Sequence, residues 1–180
     1  MKKRLASLLL AAFMAVSLCA CASGDKSGYP NEDGIAEGKL GDTMHNAFFD
    51  YTVNSAYLCS QYEDYIPTEG KELLVADVTV KNTFSQSITM YDTDFQVQWG
   101  DDSEDAFDAP VTYYLDAGQT LGEDVLPTEY DLAVNESRKG LLVFEVPAGK
   151  KDFSISYQEL FDDDSTGNLF FVYFTAEKEE

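Results

Sequence analysis

The sequence is poor in the residues that most often carry out chemistry. It has one histidine, His45, and three cysteines, with no CxxC pair among them. It contains neither a glycine-rich phosphate loop nor a histidine-based zinc motif. A Ser or Cys nucleophile needs a base within reach, and His45 would have to serve alone. We therefore expect no enzymatic activity. A carboxylate-based hydrolase is kept as a remote alternative, because the chain has 33 acidic residues.

Positive charge is also scarce. The chain has 12 Lys and Arg residues against 33 Asp and Glu residues, which gives a net charge of −21. A protein of this charge is repelled by nucleic acid and by anionic lipid headgroups, so we expect no nucleic-acid partner. The same negative field favours cationic partners or metal ions, although acidic surfaces most often serve solubility.

Residues 1–20 have the organisation of an export signal. Lys2, Lys3 and Arg4 precede an apolar run that is too short for a durable membrane span. Leu18-Cys19-Ala20-Cys21 resembles a bacterial lipobox, with a small residue just before the cysteine that is acylated. Cleavage before Cys21 would leave a chain of net charge −24 with a lipid on Cys21. We predict an exported protein that is anchored to the outer face of the cell membrane.

The rest of the chain divides into a linker, one domain and a tail. Residues 21–39 are predicted to be the lipidated cysteine and a flexible linker rich in glycine and polar residues, which would span on the order of 20–25 Å. Residues 40–177 form the domain, and residues 178–180 form a charged tail. Cys59 remains without a partner, so we expect it to be a small, partly buried side chain.

The domain shows an alternation of apolar and polar residues that is typical of β-strands. Such runs cover residues 47–53, 72–81, 87–90, 94–99, 140–146, 153–157 and 169–174. They predict an all-β, immunoglobulin-like antiparallel β-sandwich of about seven to eight strands, with Trp99 in its core. Residues 111–115 are predicted to be a short strand or a covering flap. A helix is expected only around residues 158–161.

Two of these segments resemble a known family. They are residues 72–82, ending in Leu-Leu-Val-Ala-Asp-Val-Thr-Val-Lys-Asn, and residues 135–147, which include Val-Phe-Glu-Val-Pro. Together with Gly41-Asp42-Thr43 and Asp94-Phe95 they are similar to Gram-positive lipoproteins with the domain of unknown function 4352. The resemblance covers about residues 39–175. It implies an immunoglobulin-like sandwich related to a mycobacterial immunoprotective extracellular antigen, and it implies no catalytic residue.

One acidic segment has part of the pattern of a calcium loop. Asp162, Asp164 and Thr166, with Asn168 as a further ligand, place oxygen atoms at alternate positions before and after Gly167. The position of the final bidentate glutamate is Tyr173, and the flanks are predicted strands. The alternative is a polar hairpin turn with Gly167 or Asn168 at positive φ. Calcium binding is the second function that we consider.

Four tyrosines lie beside acidic residues in predicted loops. They are Tyr62 and Tyr65 in Gln-Tyr-Glu-Asp-Tyr, and Tyr113 and Tyr114. Aromatic faces with nearby carboxylates can contact a sugar or a partner protein, or the rings can simply cap the ends of the sandwich. They are our candidate contacts for an unknown envelope protein or glycan. A second acidic segment, residues 101–105 with Asp108, lacks fixed ligand spacing and is predicted to be a solvated loop.

The last predicted strand is apolar on both faces. In a sandwich one face of residues 169–174 packs in the core, and the other needs a cover or a partner. Either the flap at residues 111–115 or the turn at residues 158–161 would provide the cover. Otherwise this strand marks a docking surface.

Overall fold

The alternating apolar residues form β-strands in the computed structural model, which describes residues 27–100, 106–116 and 119–179. These residues contain the strands β1 (Ile35–Lys39), β2 (Thr43–His45), β3 (Phe49–Cys59), β4 (Lys71–Asn82), β5 (Ile88–Tyr91), β6 (Gln96–Gln98), β7 (Phe107–Asp108), β8 (Glu129–Leu132), β9 (Ser137–Pro147), β10 (Asp152–Leu160), β11 (Thr166–Thr175) and β12 (Glu177–Lys178). Two 3-10 helices, Asp92–Asp94 and Val111–Tyr114, complete the elements. No helix of the described part is long and apolar enough to cross a membrane.

The strands form two main sheets. The first sheet has the order β1-β11-β10-β6-β7, and the second has the order β12-β3-β4-β9, with β2 also paired to β3. Strands β5 and β8 form a small separate pair. Most pairs are antiparallel, whereas β1–β11 and β12–β3 are parallel. The predicted β-sandwich is therefore confirmed. The described residues hold twelve strands because five short ones, β1, β2, β7, β8 and β12, give too little alternation to be seen in the sequence.

The main core lies between the two sheets. Four aromatic residues are fully buried there. Tyr51 and Phe144 belong to the second sheet, Phe170 belongs to the first sheet, and Phe95 directly precedes β6. Trp99 is 6% exposed and belongs to the same cluster, as predicted. Burying a side chain of this size contributes about 1.5–3 kcal/mol, so these aromatic residues account for much of the stability of the sandwich.

The prediction of a flexible linker up to residue 39 is wrong for residues 27–39. Strand β1 pairs with β11 and buries Ala36, which is 1% exposed. Asn31 Oδ1 accepts hydrogen bonds from the backbone N–H groups of Asp33 and Ile35 at 2.9 and 3.1 Å. A Cβ on Gly28 would lie 1.9 Å from the carbonyl oxygen of Thr43, so this glycine is needed for a close backbone approach. Residues 21–26 lie outside the described part.

The end of the chain is also part of the sandwich rather than a tail. Strand β12 pairs in parallel with Tyr57 and Leu58 of β3. The Lys178 ammonium lies 3.0 Å from a carboxylate oxygen of Glu72, and the backbone N–H of Glu179 donates to the carbonyl of Leu58. The predicted tail at residues 178–180 is therefore corrected for residues 178–179.

The two segments that were expected to cover β11 form a 3-10 helix and the end of β10. Val111–Tyr114 is a 3-10 helix that packs on the second sheet, because Val111 joins a cluster with Leu73 and Val75 of β4. The helix expected around residues 158–161 is absent, since β10 continues to Leu160. Neither buried apolar cluster of the described residues joins these segments to Phe171 or Tyr173 of β11.

Candidate binding groove

The outer face of the second sheet carries a second apolar cluster. Leu73, Val75 and Val143 point away from the main core and are 0–1% exposed. They are covered by loop residues, chiefly Val111, Leu121 and Val125. We call residues 60–68 together with 106–116 and 119–126 the cover. Its last part is held to the sheet edge, because Leu126 N–H donates to Leu141 O at 2.9 Å and Leu141 N–H donates to Asp124 O at 2.8 Å.

A tight turn places two of the predicted tyrosines on this cluster. Tyr62 and Tyr65 exchange backbone hydrogen bonds of 3.0 and 2.9 Å, and Glu63 between them has φ 48°. Both rings pack against the outer cluster. The intervening Glu63 and Asp64 are exposed to solvent. The turn therefore presents an acidic tip above half-buried aromatic rings.

Between this turn and the last part of the cover lies a groove of about 740 Å³. Its walls are aromatic and acidic, and its described lining contains no Lys or Arg. The lining residues are Tyr62, Glu63, Asp64, Tyr65, Leu115, Gln119, Thr120, Leu121, Gly122, Glu123 and Asp124. The structure thus brings Tyr62 and Tyr65 together with four carboxylates, two from each wall.

The groove has a negative electrostatic potential. Burial raises the pKa of the Tyr62 hydroxyl, and the carboxylates of Glu63 and Asp124 raise it further. Such charges disfavour the ionised form of a nearby phenol because like charges repel. The same potential would stabilise an ammonium or guanidinium group between the two walls.

A hydrogen bond to the buried carboxylate of Glu145 holds Tyr65 in position. Its hydroxyl donates to Glu145 Oε1 at 2.9 Å, and the backbone N–H and the hydroxyl of Thr68 donate to the same oxygen at 2.9 and 3.1 Å. Burial raises the pKa of Glu145, but these hydrogen bonds and the charge of Lys71 outweigh burial and hold the pKa below its usual value. Burial and the bond to Glu145 raise the pKa of Tyr65 to about 12.

Lys71 connects Glu145 to the other half of the cover. Its ammonium lies 3.4 Å from Glu145 Oε2 and 3.3 Å from Asp108 Oδ2. Tyr114 donates to the other oxygen of Asp108 at 2.8 Å, and this bond raises the pKa of Tyr114 to about 12. Tyr65 and Tyr114 are therefore linked through one network, whereas Tyr113 stands beside Tyr114 with 61% of its surface exposed.

A second, smaller concavity adjoins the groove. It has a volume of about 530 Å³ and shares Glu123 and Asp124 with the groove. Its other side carries Arg138 and Lys139, and Lys139 pairs with Asp77 at 2.9 Å. Glu123 and Asp124 thus form an acidic ridge between two hollows.

The predicted calcium loop is a hairpin turn between β10 and β11. Asp162, Asp164 and Thr166 are exposed, and the Asn168 amide donates to Glu159 Oε2 at 2.9 Å. The residue with positive φ is Asp164 (φ 63°), so the expectation of Gly167 or Asn168 there is wrong. Gly167 is needed for another reason, since a Cβ on it would lie 2.5 Å from Glu159 Oε2. No group of three or more His, Cys, Asp or Glu side chains suited to a metal occurs in the described residues. Calcium binding remains an untested prediction.

His45 and Cys59, the residues most suited to acting as a base and a nucleophile, are not part of the groove lining. His45 Nδ1 lies 2.8 Å from Asp50 Oδ1, and its ring stacks on Tyr29 at 4.3 Å. Burial raises the pKa of the Cys59 thiol, which lowers the fraction of reactive thiolate. Cys21 and the acidic residues 101–105 lie outside the described part.

Sequence reasoning missed the residues that position the groove. Glu145 and Lys71 were not singled out, nor was the ridge of Glu123 and Asp124. Glu145 did leave a signal, because it is the one charged side chain among the apolar residues 141–146. On a strand whose two faces are both buried, such a residue needs partners.

The geometry defines a two-sheet β-sandwich with one covered outer face and a groove in its cover. The chain belongs to the family described as "Domain of unknown function (DUF4352)", whose model matches residues 38–166. This match confirms the family resemblance found in the sequence. None of the curated proteins compared matches the chain.

Solved structures with a similar fold come from Gram-positive bacteria. A candidate lipoprotein (ycdA) from Bacillus subtilis superimposes with a TM-score of 0.54 at 17% identity, over 74% of this chain and 38% of that chain. This chain thus spans little more than a third of that relative. A candidate lipoprotein from Staphylococcus aureus has a TM-score of 0.49 at 12% identity, over 78% and 94% of the chains. A β-sandwich protein from Clostridium difficile has a TM-score of 0.43 at 12% identity, over 86% and 99%. At 17% identity the likeness to the Bacillus subtilis protein shows the fold alone.

Proposed function

We propose that this chain is an exported lipoprotein, anchored to the outer face of the cell membrane by a lipid on Cys21, whose sandwich is a non-catalytic binding module. The lipobox around Cys21 supports the anchor. The fold shared with a candidate lipoprotein of Bacillus subtilis agrees with it. The raised pKa of the half-buried Cys59 thiol supports a role in binding rather than catalysis.

The observation that carries the proposal is the aromatic and acidic groove. It combines aromatic area from Tyr62 and Tyr65 with four carboxylates, and so offers a cationic ligand aromatic rings and counter-charges. The ligand class that fits is a Lys- or Arg-rich segment of an envelope protein. Such a segment would gain from each charge pair at low salt and less at high salt.

The binding test uses the mature chain carrying Cys21→Ala, titrated calorimetrically with oligolysine and oligoarginine peptides at low and high salt. A Gly-Ser peptide of the same length is the neutral control. The groove variant is Glu123→Gln with Asp124→Asn. We expect a loss of about tenfold in affinity, because two partly exposed charge pairs contribute about 0.2–1 kcal/mol each.

The matched control removes the same charge elsewhere, by Asp162→Asn with Asp163→Asn in the exposed β10–β11 turn. We expect a change of less than about twofold, because neither carboxylate is part of the groove lining. Equal losses in both double variants would mean that only net charge matters, and the groove would be rejected as the site. The anchor is tested separately, since a full-length Cys21→Ala chain that is still membrane-bound and acylated would contradict lipidation at Cys21.

A further inference from the structure

The outer face of the first sheet is built differently from the covered face, and we call it the open face. Its residues follow from the pairing register, because directly paired residues point to the same side of a sheet. One row across the strands reads Lys39, Tyr173, Ser154, Gln98 and Phe107. The next row reads Glu37, Phe171, Ser156 and Gln96. Neither buried apolar cluster includes these residues.

The two rows form a shallow trough along β10. Its floor is Ser154 and Ser156, which are only 4% and 5% exposed although they point outward. The serines are short, and their neighbours on both sides are longer. One wall is Phe171 and Tyr173 of β11, and the other is Gln96 and Gln98 of β6. The strands that carry the walls lie roughly 10 Å apart.

The aromatic wall is continuous and accessible. The rings of Phe171 and Tyr173 are stacked, with centroids 5.8 Å apart and planes 17° from parallel. Tyr173 is 45% exposed. Phe171 is half-buried. A stacked aromatic pair on an ordered strand offers apolar contact area at little cost in side-chain entropy.

The floor and the opposite wall offer hydrogen-bonding groups without charge. Gln98 Nε2 lies 3.4 Å from Ser156 Oγ, which in turn lies 3.4 Å from the carbonyl oxygen of Gln96. Both contacts are longer than ordinary hydrogen bonds, so the hydroxyl and amide groups keep capacity for a ligand. The charged residues of these rows, Glu37 and Lys39, lie beyond the aromatic wall on β1.

We propose that this trough binds a neutral, unbranched glycan chain. Sugar hydroxyls match the serine and glutamine groups, and the apolar faces of sugar rings match Phe171 and Tyr173. The floor and walls of the trough carry no charged side chain, so they offer a cationic ligand no direct counter-charge. A second copy of the chain is disfavoured, since two molecules of net charge −21 repel each other.

The experiment is affinity electrophoresis of the full mature chain carrying Cys21→Ala in gels that contain hydroxyethylcellulose. Calorimetry with hexamers of β-1,4-linked glucose and of β-1,4-linked N-acetylglucosamine gives the affinity. We expect retardation in the gel and a loss of at least tenfold in affinity for Tyr173→Ala. Gln96→Glu should also weaken binding, because it places an unpaired charge in the trough. Tyr91→Ala removes an equally exposed tyrosine, on the separate β5–β8 pair, and should change affinity less than twofold.

Three outcomes would overturn the proposal. The first is the absence of retardation and of heat with every neutral glycan. The second is an equal loss in Tyr91→Ala and Tyr173→Ala. The third is concentration-dependent dimerisation that Tyr173→Ala abolishes, which would assign the face to a second copy. Circular dichroism of each variant separates loss of binding from loss of folding. The result is independent of the acidic groove, which lies on the second sheet.

Discussion

The two outer faces of the sandwich differ in what lies over them. On the second sheet, Leu73, Val75 and Val143 are apolar and buried beneath the cover. On the first sheet, the corresponding positions of β10 and β6 are Ser154, Ser156, Gln96 and Gln98, with no described apolar cluster above them. An outer face with hydrophobic residues on two adjacent strands requires a cover, whereas one with hydroxyl and amide groups stays in contact with water. This difference accounts for the position of the cover on the second sheet.

The largest expected effect comes from truncating a leucine under the cover. Leu73→Ala should lower the free energy of unfolding by about 3 kcal/mol, because it removes a fully buried side chain and leaves a cavity. The matched change on the open face, Leu169→Ala, should cost about 1 kcal/mol or less, since Leu169 is only half-buried. Urea denaturation measures both. Similar losses at the two positions would show that the open face is covered after all.

A second prediction concerns the 3-10 helix Asp92–Asp94, which lies between the two faces. Asp92 accepts a hydrogen bond from Thr112 of the cover, and the helix leads into β6 of the open face. Burial and the nearby Asp92 carboxylate raise the pKa of Asp94 to about 6. The folded protein therefore binds this proton more tightly than the unfolded chain does. The contribution of Asp94 is fully present below its ordinary pKa and is lost as the pH rises through about 6.

Asp94→Asn tests this directly, because an asparagine side chain keeps an oxygen that can accept the hydrogen bond from Tyr91 N–H. At pH 7.5 the variant should be more stable by about 2 kcal/mol, a figure that allows for partial exposure of the carboxyl group. The gain should shrink towards pH 4. Thermal unfolding across this pH range gives the curve, and a gain that stays constant with pH would rule out Asp94 as its source.

The smallest expected changes in stability come from removing the hydroxyl group of one tyrosine on each face. Tyr65→Phe removes the hydroxyl that donates to Glu145 and should cost about 1–2 kcal/mol, since the acceptor is a charged, buried carboxylate. Tyr173→Phe should change stability by no more than about 0.5 kcal/mol. Hydrogen exchange should also show faster exchange around residues 62–68 in Tyr65→Phe alone. If the two variants behave alike, Glu145 does not fix the cover.

The long strands could be predicted because their alternation is strong. Of the short strands, β5 and β6 were predicted, whereas β1, β2, β7, β8 and β12 were not. β4 and β9 each bury several apolar residues, and this made the sandwich predictable. β1 buries only Ala36 as an apolar side chain, and β12 buries none, so their place depends on backbone pairing that a side-chain pattern does not record. The tyrosines beside acidic residues did mark part of the groove. Its opposite wall, Glu123 and Asp124, comes from a segment without alternation that is placed by tertiary contacts.

If Cys21 carries the proposed lipid, the folded N-terminal segment would limit how far the sandwich can move from it. With Ser27 already part of the described structure, six residue steps separate it from Cys21, and a fully extended chain covers at most about 20 Å over that number. The domain would then stay within a thin layer next to the bilayer and would not reach through the depth of the envelope. Partners within that layer would meet it at a high effective concentration, so that weak contacts in the groove or trough could suffice for occupancy.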